Sequence, residues 1–257
     1  MLGTEPAGAP ARDQDAHPTL VLPGGPLLDS HYLGDLAGVA DRHPFIGVDL
    51  PWHRVAELVP VVDAVRDALG LDHVDLVAHS AGAALALTYL AAHPDRVRRL
   101  VLVCPAVRTA GVADDPEGVA AVIGRRCAVD EGYAAATAAV DHTGAPVDHP
   151  RTSFGRWSEQ HEALAARSTW DRPERLAAYY AEPPPDTAVI RAAAASFTGP
   201  VTALRGELDL HPTVRQAEQL AMLFPHGEAV ALTGAGHYPW LDDTETFGDA
   251  LLAALRG

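Results

Sequence analysis

Three side chains far apart in the chain carry the means for acyl transfer: Ser80, Asp209 and His237. Such chemistry needs a base to take a hydroxyl proton, an acid to orient that base, and N–H donors for the oxyanion that forms. Ser80 lies in Val74-Asp75-Leu76-Val77-Ala78-His79-Ser80-Ala81-Gly82, an apolar run that passes into the alanine-rich run Ala81 to Ala92 and closes at His93-Pro94. A serine among small residues between a strand and a helix is the pattern of a nucleophile elbow, whose strained turn exposes the hydroxyl. Alanine stands at position 78 where glycine is usual, which weakens the motif without breaking it. The competing reading is a serine that caps a core helix. The downstream residues decide between them. Gly206-Glu207-Leu208-Asp209 offers Asp209 as orienting acid, with Glu207 the rival carboxylate, and Gly234-Ala235-Gly236-His237 offers His237 as general base. The oxyanion donors are then the N–H of Ala81, after the nucleophile, and that of Gly25 in the turn Pro23-Gly24-Gly25-Pro26, where glycine lets the backbone come close to a substrate oxygen.

These residues must be positioned by regular elements. Thr19-Leu20-Val21-Leu22 reads as a buried strand ended by the glycine turn. Ser30 is expected to cap a helix through Ala40, and Phe45 to Asp49 to form a second strand. Val55 to Leu69 carries a one-sided apolar stripe, stopped by Gly70. Val74–Ala78 and Leu100–Val103 are the third and fourth strands. After a long interruption, Val201–Arg205 and Ala229–Leu232 are strands, with helices expected over Pro212–Leu223 and Thr244–Leu255. Alternating strands and helices predict a mostly parallel sheet of about six strands with helices on both faces. Every catalytic candidate then follows the carboxyl end of a strand, where open α/β sheets bind ligands.

From 106 to 198 the alternation breaks. Helical pieces are expected around Pro116–Arg126, Glu131–Val140, Phe154–Arg167, Arg172–Tyr180 and Asp186–Ser196, separated by Gly144-Ala145-Pro146, Asp148-His149-Pro150 and Pro183-Pro184-Pro185. The domain reading is a flexible arm over 1–18, a core from 19–105 and 199–257, and a helical lid over 106–198.

The chain has 257 residues, 48% of them hydrophobic, enough for one large core with a modest insertion. All 19 basic residues are arginine. A net charge of −15 argues against nucleic acid and anionic membranes as partners, since both require a basic footprint. No run is long and apolar enough to span a bilayer, and the arm lacks the apolar core of a signal peptide, so a cytoplasmic location is expected. Cys104 and Cys127 read as two buried thiols, a disulfide being the alternative. No helical His-x-x-x-His pair or Cys/His ligand spacing points to a metal, and Pro23–Pro26 lacks the pattern of a phosphate or dinucleotide loop. No cofactor is expected, and the partner is a small-molecule substrate.

Taken together, Pro23-Gly24-Gly25-Pro26, His79-Ser80-Ala81-Gly82, His93-Pro94-Asp95-Arg96-Val97, Gly206-Glu207-Leu208-Asp209 and Gly234-Ala235-Gly236-His237-Tyr238-Pro239-Trp240 resemble the α/β-hydrolase superfamily from Thr19 onward, and within it the proline-iminopeptidase-like and related actinobacterial hydrolases. The resemblance implies the α/β-hydrolase fold with its first strands trimmed and a lid after the fourth strand. Three departures bear on the pocket mouth. The oxyanion loop begins with Pro23 rather than the family's histidine, the arm is too short and polar for the two additional strands, and the turn after the second strand is shortened to Asp49-Leu50-Pro51-Trp52-His53.

The resulting expectation is a serine hydrolase of a small apolar ester, lactone or amide. A proline-iminopeptidase-like aminopeptidase is the alternative, although Ala81 stands where those enzymes carry tryptophan. A lyase, acyltransferase or cyclase retaining the triad is a further one. For the substrate pocket, His31 and Trp52 are candidate walls or surface residues. His79 is a neighbour of the nucleophile expected to pack and hydrogen-bond, and Trp240 is core seating the His237 loop. Phe154, Trp157, Trp170, Tyr179 and Tyr180 either line an acyl pocket or form the lid's own core. Glu159, Glu162 and Glu182 either meet a substrate ammonium or are solvated helix faces.

Overall fold

Six short runs of Val, Leu, Ile and Ala form one parallel sheet in the computed structural model, which describes residues 17–25, 29–51, 53–138, 150–167 and 173–256. The strands are β1 (Thr19–Leu22), β2 (Phe45–Gly47), β3 (Val74–His79), β4 (Val97–Val103), β5 (Val201–Gly206) and β6 (Gly227–Leu232). Their order is β2-β1-β3-β4-β5-β6, with every neighbouring pair parallel. Winding reverses at β1, which has β2 on one side and β3 on the other. The carboxyl ends of β1 and β3 therefore flank the topological switch point, where a crevice forms in such sheets.

Alternation within the strands divides the core. Leu20, Leu22, Leu76, Ala78, Leu100 and Leu102 face one layer, and Val21, Val77, Val101, Val103 and Leu204 the other. The first layer is covered by α1 (Val55–Ala68), α2 (Gly82–Ala92), α7 (Thr187–Ser196) and α8 (Val214–Ala221); the second is covered chiefly by α10 (Thr244–Arg256). Helix α2 is buried on nearly every side, from Gly82 to Leu90. Its alanines keep it narrow enough to lie between the sheet and α1 and α7, and full burial explains why it shows no polar stripe. Between β4 and β5 run α3 (Pro116–Cys127), α4 (Glu131–Ala138), α5 (Glu159–Arg167), α6 (Pro173–Tyr179) and α7. A single turn, α9 (Pro239–Asp242), precedes α10. Among the described residues no helix is long and apolar enough to cross a membrane.

Two expectations require correction. Residues 30–40 are not one helix but two 3-10 turns, Ser30–Leu33 and Val39–Asp41, and the cap is Asp29, whose carboxylate accepts the His31 N–H at 3.1 Å. Gly34, Leu36, Ala37 and Gly38 all take positive φ, which breaks the helix while turning Tyr32, Leu33, Leu36 and Val39 into the second core layer. Helix α5 begins at Glu159 rather than near residue 154, because 150–158 is a turn bonded to the loop that carries His237. The remaining predicted elements agree to within a few residues. The expected arm over 1–18 lies outside the described residues apart from His17 and Pro18, as do the 144–146 breaker and most of the 148–150 one.

Candidate active site

Strand β3 delivers the chain to Ser80, which takes φ 51° between β3 and α2. A left-handed conformation costs a non-glycine residue about 1–2 kcal/mol, so the surroundings must hold it there. They do so through the main chain: the Ser80 N–H donates to Val103 O at 2.9 Å, and Ser80 O accepts from Ala83 N at 3.0 Å and Ala106 N at 2.9 Å. The small residues of the motif have a direct steric cause. A Cβ on Gly82 would run into the carbonyls of Leu22 and Pro23. Ala78 is fully buried in the core, where its methyl is accommodated.

The loops after β5 and β6 bring the other two groups to the same rim. His237 Nδ1 lies 2.8 Å from Asp209 Oδ2, and His237 Nε2 lies 2.9 Å from Ser80 Oγ. Burial alone would raise the Asp209 carboxyl. The charge and hydrogen bond of His237, the charge of Arg205 and the N–H of His211 outweigh it and hold the carboxyl down at about 2. An ionised carboxylate can only accept, so Nδ1 carries the imidazole proton and Nε2 turns its lone pair toward the serine hydroxyl. Asp209 Oδ1 accepts the His211 N–H at 2.9 Å, which orients the carboxylate. The rival Glu207 instead accepts the Gly234 N–H at 3.3 Å and does not join this chain of bonds.

The remaining sequence candidates separate. Gly25 has φ 110° in the loop after β1, and Ala81 opens α2. His79 is buried against His237, the two rings 4.9 Å apart. Burial, with the charge of His237, pushes its imidazole down to about 3, so it stays neutral. Tyr179 is buried and donates its hydroxyl to Ala81 O at 2.9 Å, tying α6 to the start of α2. Phe154 is fully buried and stacked on Tyr238, 4.8 Å between centroids; it is core, not an open wall. Trp157 is half-buried against Phe154. His31 belongs to the surface, its side chain 77% exposed beside Asp29. Glu159 is exposed in the first turn of α5, where a carboxylate complements the helix dipole. Glu162 and Glu182 are likewise exposed. Trp52 and Trp170 lie outside the described residues.

Among the described residues one grouping has metal-ligand proximity: Cys104, Asp209 and His237, with ligand atoms within 4.8 Å of one another. Two of these already bind each other, and burial, followed by the charge of Asp209, raises the Cys104 thiol well above its ordinary range. The grouping is thus the hydrogen-bonded pair Asp209 and His237 with a protonated thiol beside them. Sequence reasoning missed Tyr32, whose hydroxyl accepts the Gly24 N–H, and Asp242, which ties the turn after Ser153 to the His237 loop. Neither belongs to a motif, and only the folded proximity reveals them.

No curated sequence matches the chain significantly. Among solved structures, the chain is similar to the 2-hydroxy-6-oxo-6-phenylhexa-2,4-dienoate hydrolase of Rhodococcus sp. strain RHA1, with a TM-score of 0.66 and 15% identity over 96% of this chain and 92% of that one. It is similar to the enol-lactonase of Burkholderia xenovorans LB400, TM-score 0.66 and 17% identity over 96% and 94%. A thermophilic esterase from Thermogutta terrifontis follows, TM-score 0.64 and 21% identity over 93% and 89%. At these identities the likeness establishes the fold. The family model described as alpha/beta hydrolase fold matches residues 37–244, most of the chain. The chain belongs to the α/β-hydrolase fold family.

Proposed function

We propose that the chain is a serine hydrolase of a small apolar ester, lactone or amide, with Ser80 as nucleophile, His237 as general base and Asp209 as its orienting acid. The observation that carries this reading is the unbroken chain Asp209–His237–Ser80, with contacts of 2.8 and 2.9 Å, ending on a serine at positive φ. His237 Nε2 takes the hydroxyl proton as Ser80 Oγ attacks the carbonyl carbon. The N–H groups of Gly25 and Ala81 receive the oxyanion. Gly25 is favoured over its neighbour because the Gly24 N–H is already engaged by Tyr32. Collapse passes the proton from His237 to the departing oxygen or nitrogen and leaves an acyl-serine. His237 then deprotonates water, which attacks the acyl carbon, and release of the acid restores the Ser80 hydroxyl.

Residues 106–198 act in this reading as the lid. Its support is that Ser153 and Tyr179, both from this segment, bond to His237 and Ala81. Substrates of the ester and lactone class accord with the esterase and enol-lactonase among the structural neighbours. The aminopeptidase alternative ranks lower, because Glu159, Glu162 and Glu182 are all exposed instead of lining an interior amine site. A fluorophosphonate probe tests the proposal. Wild-type protein should label stoichiometrically at Ser80 and hydrolyse p-nitrophenyl esters, and Ser80→Ala should do neither. Folded wild type that takes no label from probes of several sizes would sink the reading.

A further inference from the structure

The first glycine of the oxyanion loop is held by a side chain eight residues downstream. Tyr32 Oη accepts the Gly24 N–H at 2.8 Å and lies 2.6 Å from His79 Nδ1, while His79 Nε2 lies 2.9 Å from the carbonyl oxygen of His237. The direction of every proton in this chain follows from its ends. A carbonyl only accepts, so His79 Nε2 is the protonated nitrogen. Neutral His79 then presents a lone pair at Nδ1, which the Tyr32 hydroxyl must fill. The hydroxyl's own lone pair receives Gly24. Burial raises the Tyr32 phenol well above its ordinary range and lowers His79, so both remain neutral and the pattern has one consistent form.

We propose that Tyr32 is a positioning residue for catalysis, setting the oxyanion loop and the catalytic histidine relative to each other through Gly24, His79 and the His237 carbonyl. The inference rests on the serine-hydrolase reading above. Packing alone does not account for the hydroxyl. Tyr32 makes tilted or edge contacts with His79, Tyr238 and Trp240 that a phenylalanine ring would reproduce. A buried hydroxyl is costly unless paired, and this one is paired on both sides with groups adjoining the reacting atoms. The loop also has no slack. A Cβ on Gly24 would stand 2.8 Å from both His79 Nδ1 and Ser80 Cβ, so the loop rests directly on the elbow. Pro23, which cannot brace the loop through a side-chain hydrogen bond, has its counterpart in Tyr32.

The test compares wild type, Tyr32→Phe, His79→Gln and the double variant, with p-nitrophenyl butyrate as substrate and a trifluoromethyl ketone as transition-state analogue. Losing the hydroxyl should lower kcat roughly 10- to 100-fold, since small misplacements of an oxyanion donor are expensive. KM should move by less than about threefold, because the ground state does not use the loop N–H. Affinity for the ketone should fall in step with kcat/KM. His79→Gln keeps a donor in reach of His237 O but has no acceptor at the position of Nδ1, where Tyr32 donates, so it should show the same signature and serves if Tyr32→Phe does not fold. The double variant should lose little beyond the worse single one. Either of two results overturns the proposal: kcat within about twofold of wild type in the folded variants, or a KM rise with kcat unchanged. Wild type that neither turns over nor labels at Ser80 would instead strike the serine-hydrolase reading, so the two failures are distinguishable.

Discussion

The amide of His237 donates to the carbonyl of Ser153 at 2.6 Å, so the loop bearing the imidazole is stitched main chain to main chain to the segment between β4 and β5. Asp242, at the end of α9, reinforces the seam. Its fully buried carboxylate accepts from Gly236 N at 2.7 Å, Gly155 N at 2.9 Å and Arg156 N at 3.1 Å. His161 Nε2 stands 3.2 Å away, off the hydrogen-bonding line. Side chains are excluded from the seam: a Cβ on Gly236 would come within 2.5 Å of Gly155 N.

Replacing Asp242 with alanine strands three N–H donors at once, that of Gly236 buried and those of Gly155 and Arg156 partly so. The expected cost is about 3–5 kcal/mol, given the penalty for each orphaned donor and the loss of charge-assisted bonds. Urea unfolding monitored by circular dichroism reads it directly. Asp242→Asn, which keeps one acceptor oxygen, should fall between wild type and alanine. An unchanged midpoint in Asp242→Ala would show that the seam holds without its carboxylate.

The choice of orienting acid gives a paired prediction. Asp209→Asn presents an amide to His237 Nδ1 and favours the wrong tautomer, so kcat should drop by about 10⁴-fold with geometry intact. Glu207→Gln should leave kcat within roughly threefold, because that carboxylate only accepts a loop N–H and is partly exposed. Steady-state kinetics on an activated ester decides. A collapse in Glu207→Gln with Asp209→Asn still active would reverse the assignment.

How much of the fold and the site is legible in the sequence depends on range. The six strands are local apolar runs bounded by Gly and Pro, so composition and spacing located them. Ser80, Asp209 and His237 stand out in the sequence because each follows a strand end inside a short motif, and the structure brings the three side chains together. The stretch from Ser30 to Ala40 misled, since local propensity favoured a helix while burial of Tyr32, Leu36 and Val39 demanded left-handed turns. Phe154 and Trp157 left core and pocket open, because helical spacing cannot say which solvent a ring faces. Tyr32 and Asp242 were invisible for another reason. The partners of Tyr32 lie 8 and 47 residues away and those of Asp242 6, 86 and 87, and nothing in a linear pattern records such a meeting.

Burial of His79 also makes stability depend on pH. Burial first, and then the charge of His237, lower its pKa from 6.5 to about 3. The unfolded chain binds a proton near pH 6.5 that the native protein refuses until near 3. The stabilisation is therefore fully present above pH 6.5 and is lost as pH falls toward 3, at about 1.4 kcal/mol per unit. Between pH 7 and pH 5 the wild type should lose about 2 kcal/mol from this residue alone, a loss absent in His79→Gln. Denaturant titrations of both proteins across that interval test it, and parallel stability curves would remove His79 as the source.

Cys104 offers a test that needs no substrate. It follows β4 at φ 44°, fully buried, with its N–H bonded to Leu204 O at 2.7 Å and its thiol directed at Gly236 O at 3.7 Å. Burial, reinforced by the charge of Asp209, keeps the thiol protonated, and the thiolate is the reactive form. Cys127 is only half-buried, and both cysteines are free. A thiol reagent such as Ellman's at pH 8 should therefore modify Cys127 in the native protein while sparing Cys104. Cys104 should react only at the rate at which the chain opens, and both should react promptly in denaturant. Peptide mapping by mass spectrometry assigns the sites. Rapid modification of Cys104 in folded protein would mean that the thiol beside Asp209 is reached from solvent and ionises easily, contrary to the packing that surrounds Asp209 and His237.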